Sequence, residues 1–499
     1  MSAQTLLWHD YETSGTRPRV DRPLQFAALR TDPDLHPVED PQVLYCRPAE
    51  DVLPVPEACL VTGITPQAAL EKGLPEGEFF ARIQAAMARP RTCTVGYNSL
   101  RFDDEFTRFG LYRNLFDPYA REWQHGNSRW DLIDVVRLAW ALRPEGLEWP
   151  LREDGAPSFR LEELTAANAI AHGQAHDALA DVEATIGLAR ALRRVQPRLY
   201  RYVFEHRTRQ AAARLLNVHA MQPVLHVSGR YPARQGCIAL VAPVAAHPFN
   251  RNSIVVFDLR HDPAPLAGMD PEALRRRVFT ASADLEEGEE RIPLKEVHLN
   301  RAPVLAPPST LTPERAAALE IDLEAARRHV EQLRAMDGLG ARIQAIYREG
   351  GPEPAPDPEQ ALYDGFVPDE DRARMVEFRN ADAGALRGLQ ERFRDPRLRE
   401  LAFRYRARNF PETLDADEVL RWREHVARRL REGAPGGGLG LAAYRRRIAE
   451  LRASAGGPEQ QRLLADLERW GDALAARFGV DDPGDDPAGG AATAAAGEP

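Results

Sequence analysis

His9-Asp10-Tyr11-Glu12-Thr13 places two carboxylates two residues apart, directly after the apolar run Leu6-Leu7-Trp8. In an extended strand the side chains at i and i+2 leave the same face, so Asp10 and Glu12 project together. Adjacent carboxylates repel unless a cation lies between them, and hard oxygen donors suit Mg²⁺ or Mn²⁺. Alone, such a pair is an ordinary solvated strand face, and it gains weight only from partners farther along the chain. Gly96-Tyr97-Asn98-Ser99-Leu100-Arg101-Phe102-Asp103 delivers a third carboxylate to the start of an expected helix, where a simple N-cap is the plain alternative. His176-Asp177-Ala178-Leu179-Ala180-Asp181 adds a histidine and a fourth carboxylate at another helix start. Five residues turn a helix by about 140°. His176 is therefore expected on the loop ahead of that helix, over a site that Asp181 enters from the first turns. Asp104, beside Asp103, is set aside as a ligand.

These residues need a scaffold. Short runs with strand character occupy 5–8, 23–31, 42–46 and 92–97, separated by Pro- and Asp-rich turns. Apolar residues at helical intervals mark 78–87, 104–115, 131–142, 161–170 and 178–195. Strands first, then strands and helices in alternation, predict an α/β unit with a mixed central sheet flanked by helices. Gln196-Pro197 ends its last helix. Residues 197–350 carry strand-like runs at 223–227, 238–244, 253–259 and 296–299, then a helix over 313–348, and read as a small β-rich domain with helical additions. The segment 350–358, GGPEPAPDP, has linker composition. Residues 351–480 read as an all-α domain interrupted at 433–440, and the Asp-, Ala- and Gly-rich tail 481–499 as disordered. The first unit spans 1–196.

The ordered set D-x-E, N-x-x-x-F-D and H-x₄-D resembles the DEDD exonuclease superfamily, in the subgroup whose general base is histidine. The likeness extends to WHDYETSGTRPRVDRPLQFAALRTD, GYNSLRFDDE, GAPSFRLEELT and AHDALADVEAT in the first region, HVSGRYPARQGCIALVAPVAAHPFNRN in the second, and LYDGF and YRARNFPETL in the third. Over about residues 1–480 it is similar to the bacterial exodeoxyribonuclease I family. That resemblance implies an RNase H-like exonuclease domain of DnaQ type, then an SH3-like β-rich domain and an all-α C-terminal domain. It implies two Mg²⁺ ions, replaceable by Mn²⁺, held by Asp10, Glu12, Asp103 and Asp181, with His176 as general base. Glu12 and Arg160 are expected at the substrate's terminal nucleotide. Arg108, Tyr119, Trp123 and Arg137 are expected along the strand, within a segment that interleaves arginines and aromatics. Tyr112 and Trp130 are expected in the core instead. The implied activity is hydrolysis of single-stranded DNA from the 3′ end, releasing 5′-mononucleotides in repair and recombination. The implied partners are single-stranded DNA and single-stranded-DNA-binding protein.

The bulk properties constrain this reading without producing it. The net charge of −10 does not announce a nucleic-acid binder, but a local patch decides binding, and part of the acid lies in the tail. Lysine stands only at 72 and 295, so the cationic residues are nearly all arginine; base composition is the simplest cause. Four scattered cysteines, none in a C-x-x-C pair, argue against a disulfide frame or zinc site and for a reducing compartment. No apolar stretch is long enough to span a membrane. A monomeric, cytoplasmic enzyme is expected. The competing readings are a smaller nuclease of the same superfamily, disfavoured by the 300 or so residues beyond the nuclease region, and a DNA-binding scaffold on a dead nuclease fold, disfavoured by the complete acid set.

Overall fold

The computed structural model describes residues 4–173, 176–348, 354–454 and 456–480. Three strands open the chain, β1 (Thr5–Thr13), β2 (Pro23–Thr31) and β3 (Gln42–Tyr45). Helices α1 (Pro56–Thr62), α2 (Pro66–Lys72) and α3 (Glu76–Met87) lead to β4 (Thr92–Gly96). Next come α4 (Asp103–Arg113), β5 (Ser128–Asp131), α5 (Leu132–Leu142), α6 (Leu161–Ala167) and α7 (Ala178–Val195). The five strands form one sheet in the order β3-β2-β1-β4-β5. β1 runs antiparallel to β2 and parallel to β4, so the sheet is mixed, as expected.

β1 continues past residue 8. Its ladder with β2 pairs Asp10 with Ala27 and Glu12 with Gln25, so the two acids sit within the sheet and not beyond its end. The alternation of side chains then sorts the strand. Leu6 and Trp8 join a core with Val95, Val135 and Val182, while Leu7 and Tyr11 join Phe26, Phe79, Phe80 and Leu111 on the other face. Asp10 and Glu12 fall in step with Leu6 and Trp8, on the face that α5 and α7 cover. The short buried β5 was not foreseen. Trp130 is core as expected, 1% exposed, but it stands on this strand. α1 and α2, each only seven residues long, were also missed.

The second region begins with α8 (Pro197–His206) and α9 (Arg209–Leu215). An antiparallel sheet comes after them, built from β6 (Val224–Val227), β7 (Ile238–Ala246), β8 (Ser253–Asp258), β9 (Leu294–His298) and β10 (Leu305–Ala306), in the order β10-β6-β7-β8-β9. Helix α10 (Pro271–Phe279) lies between β8 and β9. The single helix expected over 313–348 is in fact three, α11 (Pro313–Ala318), α12 (Leu323–Ala335) and α13 (Leu339–Ile346). Asp322 caps α12, and Gly338 at φ +67 sets the turn into α13.

The third region is helical, with α14 (Asp369–Arg379), α15 (Leu386–Gln390), α16 (Pro396–Asn409), α17 (Ala416–Glu432), α18 (Leu441–Ser454) and α19 (Pro458–Phe478). The glycine-rich break falls between α17 and α18 as expected. The tail 481–499 and part of the expected linker lie outside the described residues. The third region packs on the first. Phe109, Tyr112 and Leu115 share a core with Met375, Phe378 and Leu401, and Leu24, Leu53 and Cys59 share another with α17 to α19.

Candidate active site

β1 and β4 run parallel, and the acids gather where their carboxyl ends meet the helices, the usual place for a site in such sheets. Gly96 ends β4 where a Cβ would lie 2.6 Å from Ser99 Cβ and 3.0 Å from the His9 carbonyl, so only glycine lets the loop turn this close to β1. Asp131 then ties that loop down. Its carboxylate caps α5 and accepts the backbone N–H groups of Asn98 and Leu100. Burial, then the neighbouring Asp134, lifts the Asp131 carboxyl to about 7. The loop delivers Asp103 as the first residue of α4. Asp103 does not act as an N-cap; Phe102 occupies that position without a side-chain bond. Thr107 anchors the turn by donating to the Asp103 carbonyl at 2.9 Å, and its oxygen lies 3.0 Å from the Tyr11 hydroxyl.

α7 supplies the other half. Asp177 caps it by accepting the N–H groups of Leu179 and Ala180, and Gln25 of β2 accepts from Ala178 N at 3.3 Å. These contacts fix the first turn, which carries Asp181. His176 stands just ahead of the helix, exposed, in the left-handed region at φ +65. The ligand atoms of Glu12, His176 and Asp181 all lie within 4.8 Å of one another. The placement of His176 on the preceding turn is the one expected from its spacing.

Asp10 and Asp103 join this trio electrostatically. Burial, then the Asp181 charge, raises the Asp10 carboxyl well above its ordinary range. Burial, then Asp10, does the same for Asp103. Glu12 is pushed up to about 9 by burial, then by Asp10, Asp181 and Asp177. Asp103 Oδ1 is fully buried and has no hydrogen-bond partner among the described residues. Four mutually repelling carboxyls, one buried oxygen left without a donor, and an imidazole at the rim suit a hard divalent cation. Asp104, by contrast, is held far below the usual carboxylate range. Burial opposes that shift, but Arg121 and Arg129 at 2.7 Å each outweigh it. Setting it aside as a ligand agrees with this structural role.

Sequence reasoning missed His172. Its Nε2 lies 2.6 Å from Asp181 Oδ1, and its Nδ1 lies 3.0 Å from Thr165 Oγ1. A lone histidine in Ala169-Ile170-Ala171-His172 carries no spacing signal, because a turn and not a helix brings it to the acid.

The expected strand contacts divide. Arg160, at the start of α6, is 69% exposed and lies 3.5 Å from Glu163, its one ion pair among the described residues. Trp123 is 66% exposed. Tyr119 and Arg108 stack at 5.5 Å, and Arg108 is also held by Glu122 and Glu105. Arg137 is bonded to Asp134 at 2.7 Å and faces Gly229 of the second region. Arg108, Tyr119 and Trp123 line a cavity of about 850 Å³ together with Tyr363 and the exposed Phe366 of the third region. A second cavity, of about 1150 Å³, lies between the α4 loop and the β6–β9 sheet and is lined by Arg101, Arg230, Lys295 and Arg301. Lys295 donates to Ser228 Oγ at 2.8 Å, forms no ion pair with a carboxylate among the described residues, and is lowered to about 8, chiefly by burial.

Residues 7–189 match the exonuclease family, 207–349 the exonuclease I SH3-like domain, and 356–474 the exonuclease I C-terminal domain. Exodeoxyribonuclease I of Escherichia coli (strain K12) is 49% identical over 422 residues, which is 84% of this chain and 89% of that protein. The chain belongs to the exodeoxyribonuclease I family. It has that family's exonuclease domain, SH3-like domain and C-terminal domain, and it is an exodeoxyribonuclease. A moderately thermophilic exonuclease I from Methylocaldum szegediense superposes with a TM-score of 0.91 at 50% identity, covering 95% of this chain and all of that one. The zinc-bound form of an E. coli exonuclease I–single-stranded DNA complex gives 0.89 at 45%, covering 95% and 100%. An exonuclease I solved with single-stranded-DNA-binding protein and the inhibitor CFAM gives 0.87 at 44%, again covering 95% and 100%. No helix among the described residues is long and apolar enough to cross a membrane.

Proposed function

We propose that the chain hydrolyses single-stranded DNA from the 3′ end, releasing 5′-mononucleotides, at a centre formed by Asp10, Glu12, Asp103, Asp181 and His176. The observation that carries this reading is the gathering of Glu12, His176 and Asp181 within 4.8 Å beside two further buried carboxyls. The four acids would hold two Mg²⁺ ions, with Mn²⁺ an effective substitute, and these would supply a lowered water pKa and charge neutralisation at the phosphate. An imidazole nitrogen of His176 takes the proton from the attacking water. The water oxygen bonds to the phosphorus of the last phosphodiester, the P–O3′ bond breaks with its electron pair going to O3′, that oxygen takes a proton from solvent to become the strand's new 3′-hydroxyl, and the nucleotide leaves with its 5′-phosphate. Glu12 orients the terminal nucleotide, and the exposed guanidinium of Arg160 grips its phosphate. Arg108, Tyr119, Trp123 and Arg137 hold the upstream strand by charge and by base stacking, which tolerates any sequence.

The units are read as 1–196, 197–350 and 351–480, with the 481–499 tail after them. The chain acts as a monomer in the cytoplasm, in repair and recombination, with single-stranded-DNA-binding protein as partner. Four buried, unpaired cysteines agree with a reducing compartment, and the solved relative that holds that binding protein supports the partner. The decisive experiment is digestion of a 3′-labelled and a 5′-labelled oligonucleotide, single-stranded and duplex, with Mg²⁺ or EDTA. Early release of the 3′ label as mononucleotide, from single strands and only with metal, is expected. An intact 3′-labelled single strand in Mg²⁺, or a preference for RNA, would overturn the reading.

A further inference from the structure

Asp181 is placed awkwardly for a ligand. It sits on the first turn of α7, facing Asp10 and Glu12, which it repels. Without a restraint its carboxylate gains by rotating away from them. The restraint comes from outside the acid cluster. His172 Nε2 meets Asp181 Oδ1 at 2.6 Å. A carboxylate only accepts, so the shared proton belongs to Nε2. The other ring nitrogen faces Thr165 Oγ1 at 3.0 Å, and Thr165 is fully buried on α6 with its hydroxyl bonded to the Leu161 carbonyl at 2.9 Å. The segment carrying His172 runs tightly along α7, where a Cβ on Gly173 would come within 3.2 Å of Ala180 Cβ. Asp181 Oδ2 makes no hydrogen bond among the described residues.

We infer that His172, seated on Thr165, is the positioning residue that holds Asp181 in ligand geometry. It acts through Asp181. A histidine–carboxylate contact behind a ligand is the kind of support that sets metal affinity. The inference rests on the two-metal reading above. It differs from the role of His176, which stands four residues on, on the open side of the same acid.

The test compares the full-length wild type with His172→Phe, which keeps a ring but no N–H, His172→Gln, which keeps an N–H donor, Thr165→Val and Asp181→Ala. Mn²⁺ binding is measured by calorimetry without DNA, single-stranded DNA binding by anisotropy in EDTA, and cleavage as a function of Mg²⁺. His172→Phe should bind Mn²⁺ about 10- to 100-fold more weakly, bind DNA in EDTA as wild type does, and recover much of its rate at high Mg²⁺. Thr165→Val should shift in the same direction by less, and His172→Gln should stay closer to wild type than His172→Phe. Wild-type Mn²⁺ affinity in His172→Phe overturns the inference, as does a loss that tracks ring volume, with Gln worse than Phe. If wild type takes up no Mn²⁺, or Asp181→Ala binds it unchanged, the two-metal reading itself has failed.

Discussion

Burial pushes the Asp10, Glu12 and Asp103 carboxyls toward the protonated form, and a bound divalent cation reverses that preference. On the proposed two-metal reading, removing one acid removes metal sites more than it disturbs the fold. Asp10→Ala and Asp181→Ala should abolish cleavage while DNA binding in EDTA survives. Wild-type-like turnover by either variant in a labelled-strand assay would remove these residues from the centre. His176→Ala should slow the chemical step by about 10²–10⁴-fold, measured as single-turnover release of the first nucleotide, with little change in DNA affinity. The types and spacings of these five residues were legible in the sequence because D-x-E follows a strand period and H-x₄-D straddles a helix start. His172 was not, because its partner is set by a turn whose path no periodicity records. The pairing of Arg108 with Glu122 was hidden for the same reason, whereas Glu105–Arg108 and Asp134–Arg137 stand at the i,i+3 spacing of a helix face.

The elements that hold the acids are close-packed at a few narrow points. α3 and α4 cross where Gly110 faces Phe80, and a Cβ on Gly110 would sit 1.8 Å from that ring. Phe80 is fully buried and cannot withdraw. Gly110→Ala should cost about 1–3 kcal/mol by overpacking, read as a lower urea midpoint, and should also reduce activity because α4 carries Asp103. An unchanged midpoint would show that the crossing is softer than its geometry. Long periodic elements such as α7 were readable to the residue. β5 was not: Ser128-Arg129-Trp130-Asp131 is four residues long with a charge inside it, and it becomes a strand only because β4 offers an edge and Asp104 takes the arginine. The division of 313–348 into three helices turned on local caps and one left-handed glycine, which apolar spacing does not report.

At the scale of the whole molecule, the third region is fastened to the first by buried charge. Across the junction Arg22 bonds Glu359 at 2.6 Å and Arg408 reaches Asp51 at 2.7 Å, while within the third region Arg408 also meets Glu359 at 2.5 Å and Arg404 and Arg429 clasp Asp357 at 2.8 and 2.7 Å. On the first region's own side, Glu76 pairs with Arg113 at 2.8 Å and lies 3.9 Å from Arg22. Such groups are worth little net when paired and cost much when orphaned. Glu359→Gln should therefore lose about 3–5 kcal/mol and expose the junction to limited proteolysis; a stable, protease-resistant variant would contradict this. Burial opposes ionisation of Asp51, Glu76, Asp357 and Glu359, but the facing guanidiniums outweigh it and hold all four below the usual range. A lowered folded pKa stabilises above the unfolded value and is lost as pH falls through the folded one. The contribution of these four carboxylates should thus be full above about pH 5 and be lost below about pH 4, a drop in melting temperature that calorimetry across that range would register. The two pairs that cross the junction were not legible in the sequence, since Arg22 and Glu359 lie 337 residues apart and Asp51 and Arg408 lie 357 apart.

Lys295 gives the cavity between the first and second regions a reporter of its own. Apart from the chain's amino terminus, only Lys72 and Lys295 carry a primary amine. Burial lowers the Lys295 pKa to about 8, so a larger share of it is neutral at pH 7 than of an ordinary lysine. An amine-acylating reagent small enough to enter should therefore mark this residue ahead of Lys72, and peptide mass mapping would read the two apart. A strand bound past Arg101 and Arg301 would shield it, and an acylation rate unchanged by single-stranded DNA would show that the strand does not enter this cavity.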